Sequence, residues 1–521
     1  MSVTPPGTGR DVREREERDA RVGRGPAGAS GKLADMQSTP HVAVVGAGLS
    51  GLTAAYRLAE RGAAVTVLEA GPDLGGKLHV SEVAGVPVDA GAESVLARRP
   101  EALRLFSELG LDDRVVHPAP GPARIYSRGR LRPLPEGHVM GVPGDPVALA
   151  RSGVLSWAGT LRAALDLVWP RTPVRGDVPV ARYIGVRMGA EVVDRLVEPM
   201  LGGVYAGRTE RLSLDEAMPQ IAPIARGERS LMRGVRALKR RQAAAAGSGP
   251  PAPVFATLRG GLGVLIDALA ERSGAEVRTL SPVTALAPED GGGWALEVTA
   301  PGAAEPERLQ ADAVVLACPA PAAARLLRPV AGPAAGELDG IGYAGMAIVT
   351  LAFRAGDLPV RPEGSGFLVS PREGLTIKAA TFSSVKWPWL AEELRAAHPG
   401  EERVVVRCSI GRAGEERALR RSDEELAAAA LADLATVCGG PVGAPLERRV
   451  TRWEAGLPQY DTGHGARVAR ARKALAAHPS LALCGAAYDG VGIPACIAGA
   501  TRAVEGLAVE PAAGGRPGTA R

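Results

Sequence analysis

One stretch of 29 residues, 41–69, limits the folds open to this chain more than any other. The run HVAVV (41–45) leads into Gly46-x-Gly48-x-x-Gly51, then the helical pattern TAAYRLAERG, then AVTVLE (64–69) ending on Glu69. Strand, glycine turn, helix and strand at this spacing form a βαβ unit. The glycines permit a tight turn and close backbone approach, and the N–H groups at the helix start can receive a pyrophosphate. Gly46, Ala47, Gly48, Leu49, Ser50 and Gly51 are the candidate cradle. Glu69 lies 18 residues past Gly51, where its carboxylate can accept both hydroxyls of an adenosine ribose. Its charge would repel a 2′-phosphate, which disfavours NADP and leaves NAD or FAD.

The whole chain is large enough for several domains with sizeable cores: 521 residues, 46% of them hydrophobic. Its 67 Gly and 43 Pro follow no Gly-X-Y period, so they indicate turns and not collagen. A net charge of +5, from 62 basic and 57 acidic residues, gives no argument for nucleic acid. Cys318, Cys408, Cys438, Cys484 and Cys496 form no C-x-x-C pair and have only seven histidines for company, which fits neither a disulfide framework nor a metal site. The opening residues are charged (REREERDARVGR, 13–24) where a secretory signal needs an apolar run, so a cytoplasmic protein is expected. The apolar stretches at 153–169 and 491–504 are too short or too interrupted to cross about 30 Å of hydrocarbon.

Along the chain, residues 1–36 read as a disordered extension, or as upstream translation ahead of a start at Met36. Apolar spacing in PEALRLFSELG (100–110) and EVVDRLVEPML (191–201) predicts a largely helical section over 96–240. RQAAAAGSGPPAPV (241–254) reads as an exposed connection. Strand-like runs return at 275–280, 294–300, 313–318, 346–353 and 403–410, and the charged run at 412–431 reads as a solvated helix. Beads on a string explain this order poorly; a cofactor domain built from separated stretches, with a substrate domain inserted, explains it better.

The segment AGPDLGGKLHV (70–80) starts at Ala70 and carries Gly75, Gly76 and Lys77 directly after the ribose acid. It resembles the second flavin-contacting turn of the amine oxidase and protoporphyrinogen oxidase superfamily, a plain loop being the alternative. VDAGAESVLARRPEALRLFSELGL (88–111) is similar to the segment of coproporphyrinogen and protoporphyrinogen oxidases that passes along the flavin. EPMLGGVYAGRTERLSLDEAMP (198–219), Leu-Arg-Gly-Gly-Leu-Gly (258–263), DAVVLACPA (312–320), RWEAGLPQY (452–460) and LCGAAYDGVGIPACIAGA (483–500) follow in the family's order. The resemblance covers nearly the whole chain after residue 37, and the Ala-, Arg- and Gly-heavy composition is similar to that of actinobacterial members.

The resemblance implies FAD, with Val283 beside the adenine and Trp453, Gly485, Val491, Gly492 and Ile493 closing around the flavin ring; Trp453 reads equally as a core aromatic. It implies an α/β fold with a discontinuous Rossmann-like FAD-binding domain (37–95, 255–320 and 450–510). An inserted α+β substrate domain (96–130, 220–254 and 321–449) and a largely helical subdomain (131–219) complete it, with a flexible tail at 511–521. The implied reaction is oxygen-dependent oxidation of coproporphyrinogen III in haem biosynthesis, with protoporphyrinogen IX as the alternative substrate. Another amine oxidase or desaturase, or a tetrapyrrole-binding flavoprotein, is a more distant reading. Flavin-centred hydride transfer needs no assigned catalytic side chain. Propionates call for cations, and Arg98 and Arg99 (or solvent-facing arginines), Arg208 and Lys386 are the candidates, with Tyr205 as a pocket wall or core residue. A transient ferrochelatase contact, peripheral membrane contact, and a monomer or homodimer remain open.

Overall fold

A computed structural model describes residues 39–121, 123–246, 253–303 and 305–509; the expected N-terminal extension, the tail and residues 247–252 of the expected connection lie outside them. Five strands form a parallel sheet in the order Glu276–Arg278, Ala64–Leu68 (β2), His41–Val45 (β1), Ala313–Leu316 and Leu481–Leu483. The chain leaves β1 through the Leu49–Glu60 helix (α1) to β2 on one side, and reaches the Ala313–Leu316 strand on the other only much later. The strand order therefore reverses at β1, which opens a crevice at the carboxyl ends of the strands.

Both faces of this sheet are covered, which explains its unbroken apolar strands. Val42, Val44, Val65 and Val67 pack with α1 and with the Gly263–Ser273 and Ile493–Glu505 helices. Ala43, Val45 and Leu68 pack on the opposite side with Trp294, Leu296 and Val298 from a three-stranded antiparallel sheet.

A seven-stranded sheet runs in the order Glu447–Pro458, Tyr343–Arg354, Arg403–Ile410, Ile377–Phe382, Gly366–Val369, Ala123–Ser127 and Arg130–Pro133. The Asp423–Cys438 helix buries Leu426, Ala427, Ala430 and Leu434 with the inner face of this sheet. The charged run at 412–431 is thus not one solvated helix. It breaks after Glu416–Leu419 and restarts at Ser422, whose side chain closes a capping box with Glu425, and the new helix is half buried. The section 96–240 is mostly helical as expected, but it also contributes the Ala123–Ser127/Arg130–Pro133 hairpin to the sheet.

The helices between 146 and 246 enclose their own core. At its centre Arg187 and Asp166, 1% and 0% exposed, meet at 2.6 Å. The remaining capacity of Asp166 is taken by Ser230 Oγ and Met232 N–H, and Arg187 also donates to the Pro170 and Arg229 carbonyls. Full pairing makes such burial tolerable. The Leu231–Ala246 helix continues past residue 241, so the expected connection begins later; an alanine run favours helix and sustains it. Beside this core, Trp157, Leu161, Leu165, Val168 and Trp169 stand exposed along one helical stretch.

Candidate functional site

The carboxyl edge of the parallel sheet brings the glycine motifs together. Gly46 ends β1 at φ +105° and donates to the Leu68 carbonyl. A Cβ on Gly51 would sit 1.8 Å from the Gly46 oxygen, so the helix can start here only with glycine. Gly48 differs: its φ of −71° suits any residue, and a Cβ there would meet nothing within 4 Å. Helix α1 has no side-chain cap and no acid in its first turn, so the N–H groups of that turn have no side-chain acceptor, an arrangement that suits an anion. Leu49 and Ser50 are buried in this first turn.

The second turn docks on the first. Gly75 N–H donates to the Ala47 carbonyl at 2.8 Å, and Gly48 and Gly75 form an isolated bridge. Gly75 and Gly76 take φ of +91° and +58°, and a Cβ on Gly75 would lie 2.7 Å from the Leu78 carbonyl. Glu69 stands at the end of β2, accepting from Ala47 N–H and Gly71 N–H at 2.8 Å each, one bond per carboxylate oxygen. Each oxygen keeps a lone pair for a further donor. Ala70 is exposed beside it. Leu280 and Ser281 donate to the Gly71 and Glu69 carbonyls, so the chain leading to Val283 crosses this strand end.

A third segment closes the edge. Gly485 follows the Leu481–Leu483 strand at φ +136°, and the Ile493–Glu505 helix starts without a side-chain cap behind the exposed Gly492. Cys484 donates from Sγ to the Ser50 carbonyl, and Cys496 donates to the Gly490 carbonyl and lies near Lys77, which links this segment to both glycine turns. Lys77 is partly buried, with no hydrogen-bond acceptor among the described residues, and burial pulls its ammonium down from its ordinary range. Trp453 donates from Nε1 to the Ala90 carbonyl and stands edge-on to His79. It packs on the chain at 79–91 and is only partly buried.

The model of the family described as flavin containing amine oxidoreductase matches residues 49–508. The chain belongs to this family. The "Coproporphyrinogen III oxidase" of Mycobacterium tuberculosis (strain ATCC 25618 / H37Rv) is 39% identical over 471 residues, covering 88% of this chain and 96% of that protein. The protein of that name from Bacillus subtilis (strain 168) is 32% identical, over 88% of this chain and 95% of its own length. A crystal structure from Exiguobacterium sp. 255-15, named "Putative protoporphyrinogen oxidase", superposes with a TM-score of 0.77 at 33% identity, covering 90% of this chain and 98% of that one.

The cofactor of this flavin enzyme is FAD, and the residues at the sheet edge fit it. Gly48 leaves room beside it, the uncapped start of α1 would supply donors to a pyrophosphate, Glu69 would supply acceptors to a ribose, and Lys77 would supply a cation.

Of the substrate candidates, Arg98 is exposed, and Arg99 is exposed and pairs with Glu101 at 2.6 Å. Lys386 is held by Glu93 at 2.5 Å, and Arg208 by Glu415 at 2.8 Å. Tyr205 is buried against Tyr460. The candidates fall into two groups, one along 93–99 and one beside the Glu198–Tyr205 helix.

Four residues escaped the sequence reading. Tyr460 donates to the Ala486 carbonyl and accepts from Gly490 N–H, both at 2.7 Å, and so fixes the 485–492 loop; its place at the end of RWEAGLPQY was the available signal. Asp89 accepts from Leu262 N–H at 2.9 Å, joining the VDAG segment to the Leu-Arg-Gly-Gly-Leu-Gly segment. Arg407 and Lys386 both hold Glu93. Burial opposes the charge on Glu93, but these two cations outweigh it and bring its carboxyl down to about 2. Lys378 is the fourth, a lysine buried within a strand that carried no motif to mark it.

Burial pushes the Asp89 carboxyl up to about 7, against the opposing pull of Arg407 and the Leu262 N–H. The folded state therefore binds a proton that the unfolded state releases between about pH 4 and 7, and this group lowers stability as pH rises through that window. Asp89→Asn keeps an oxygen for Leu262 N–H. Its melting temperature relative to wild type should rise between pH 5 and pH 8, whereas an offset independent of pH would show that Asp89 ionises normally.

Proposed function

We propose that this protein oxidises coproporphyrinogen III to coproporphyrin III in haem biosynthesis, using O2 as electron acceptor. The observation that carries the proposal is likeness, across 96% of its length, to the Mycobacterium tuberculosis protein of that name. FAD supplies two-electron oxidation per cycle, so removing six electrons and six protons from the macrocycle takes three cycles and converts three O2 to three H2O2.

The chain's own residues hold the cofactor and orient the substrate. Gly46, Gly48, Gly51, Gly75 and Gly76 let the backbone approach the pyrophosphate, and Glu69 fixes the adenosine end. Val283 borders the adenine. The start of the Ile493–Glu505 helix favours negative charge near the flavin ring, and Tyr460 and Trp453 brace the loops that carry this arrangement. Among the described residues, no group of three or more His, Cys, Asp or Glu could hold a metal. The name of the Exiguobacterium structure favours protoporphyrinogen IX as a second reading.

A peripheral membrane contact is part of the same proposal. No helix among the described residues is long and apolar enough to cross a membrane. The exposed stripe of Trp157, Leu161, Leu165, Val168 and Trp169 is flanked in sequence by the exposed Arg151, Arg171 and Arg175, a pairing suited to the surface of an anionic bilayer on the cytoplasmic side.

Anaerobic mixing with each porphyrinogen decides between substrates. Coproporphyrinogen III should bleach the flavin absorbance faster than protoporphyrinogen IX; the reverse order would overturn the assignment. Sedimentation with anionic vesicles should fall when Trp157 and Leu161 are both changed to Ser, and equal sedimentation of the two proteins would remove the membrane contact.

A further inference from the structure

Lys378 lies at a register shift in the Ile377–Phe382 strand, between Ile377, paired with Ile410, and Ala379, paired with Ser409. Its side chain is 3% exposed, and its ammonium has no hydrogen-bond partner. An ammonium taken out of water without a partner is costly, and folds rarely retain one that does nothing.

The nearest charges do not neutralise it. Arg412, 5% exposed, faces Lys378, and its one ion pair is a loose 3.8 Å approach to Glu415. Glu415 is engaged more closely by Arg208, at 2.8 Å. Glu198, on the helix packed over this face of the sheet, accepts the Thr209 N–H, and burial pushes its carboxyl up toward the neutral form. Three cations, Lys378, Arg412 and Arg208, therefore face two carboxylates, Glu415 and Glu198. Burial, together with the charge of Arg412, brings the Lys378 ammonium down to about 7.

The cluster is short of one carboxylate, and the Glu198–Tyr205 helix packs directly on it. The Arg412 Nε lies 3.9 Å from where a Cβ on Gly202 would stand. The next two residues of that helix, Gly203 and Val204, are exposed. The helix ends at Tyr205, which packs on Tyr460, the residue that ties down the 485–492 loop of the flavin site.

We propose that Lys378 and Arg412 form a carboxylate-binding site that takes one propionate of the porphyrinogen. This rests on the proposed function for the identity of the carboxylate, and on the cluster alone for the existence of the site. The substrate-binding cations named from sequence, apart from Arg98, already have carboxylate partners, whereas Lys378 and Arg412 have none at close range. A carboxylate that binds Lys378 recharges it, so binding takes up a proton.

The test uses the FAD-loaded protein and follows the fluorescence of coproporphyrin III, the stable tetracarboxylate, on titration with protein. Lys378→Met and Arg412→Met should each raise its Kd about tenfold or more while leaving FAD content unchanged; binding of the tetramethyl ester should not change. In wild type, binding should weaken as pH rises above about 7, with the slope lost in Lys378→Met; the charged groups facing this ammonium are Arg412 and Glu415, and Arg208 and Glu198 face Arg412 in turn. Lys378→Met should also melt higher than wild type, since the unpartnered ammonium is gone. A higher melting temperature with an unchanged Kd for coproporphyrin III would overturn the propionate assignment. In that case, stabilisation of wild type but not of Lys378→Met by sodium propionate would show that the site takes a free carboxylate, and absence of that stabilisation would overturn the site itself. Because product binding is read without turnover, a wild type that binds coproporphyrin III but fails to oxidise the porphyrinogen would count against the proposed function and not against the site.

Discussion

The helix that follows the first strand starts against the carbonyl of Gly46, at a distance no side chain could survive. Much of the packing around the parallel sheet follows from that contact. Because Gly51 has no Cβ, α1 can turn sharply off β1 and lie on the sheet with its N-terminus at the crevice. Because α1 lies there, the Ile493–Glu505 helix can pack alongside it, and Cys484, ahead of that helix, bonds the Ser50 carbonyl. The second glycine turn bonds back to Ala47, and Glu69 bonds to the N–H of the same residue. Segments far apart in the chain thus become one surface lined with backbone donors and a single acid.

Charge ties this surface to the other sheet. Glu93 follows the segment that passes Trp453, and its carboxylate is gripped by Lys386 and by Arg407 of the Arg403–Ile410 strand. With both cations present the buried carboxylate is stable; without either it would be a liability. Arg407 also donates to the Gly91 carbonyl at 2.6 Å, so one guanidinium holds both the backbone and the acid of this crossing. A similar economy governs the helical core, where Asp166 and Arg187 saturate each other and the surrounding carbonyls. Against that background an ammonium left without a partner, as at Lys378, stands out.

The parts of the fold that could be read from sequence are those whose physics is local. The β1–α1–β2 unit depends on glycines a few residues apart and on an acid at a strand end, and it is found where the spacing put it. The strands at Gly366–Val369 and Ile377–Phe382 went unread because the first is only four residues long and the second carries Lys378 and Thr381 among its apolar residues; they exist by pairing with distant partners. The 412–431 run misled because its charges are real but lie ahead of and along one side of a helix whose other side is buried. At the site, glycines and Glu69 declare themselves through covalent spacing. Cations do not: Lys386 and Arg208 looked available to a ligand until the fold supplied Glu93 and Glu415, and Lys378 looked like any surface lysine until the fold buried it.

The central claim is that the sheet edge is shaped for the cofactor and not only for the chain's own packing. Gly48 isolates that claim, because nothing in the protein requires it to be glycine: its backbone is ordinary and the space beside it is empty. The decisive measurement is the FAD affinity of Gly48→Ala apoprotein, taken together with its melting temperature. The melting temperature should match that of wild-type apoprotein while the Kd for FAD rises about tenfold or more. An unchanged Kd would mean that the pyrophosphate does not approach this turn, and the site would have to be sought elsewhere.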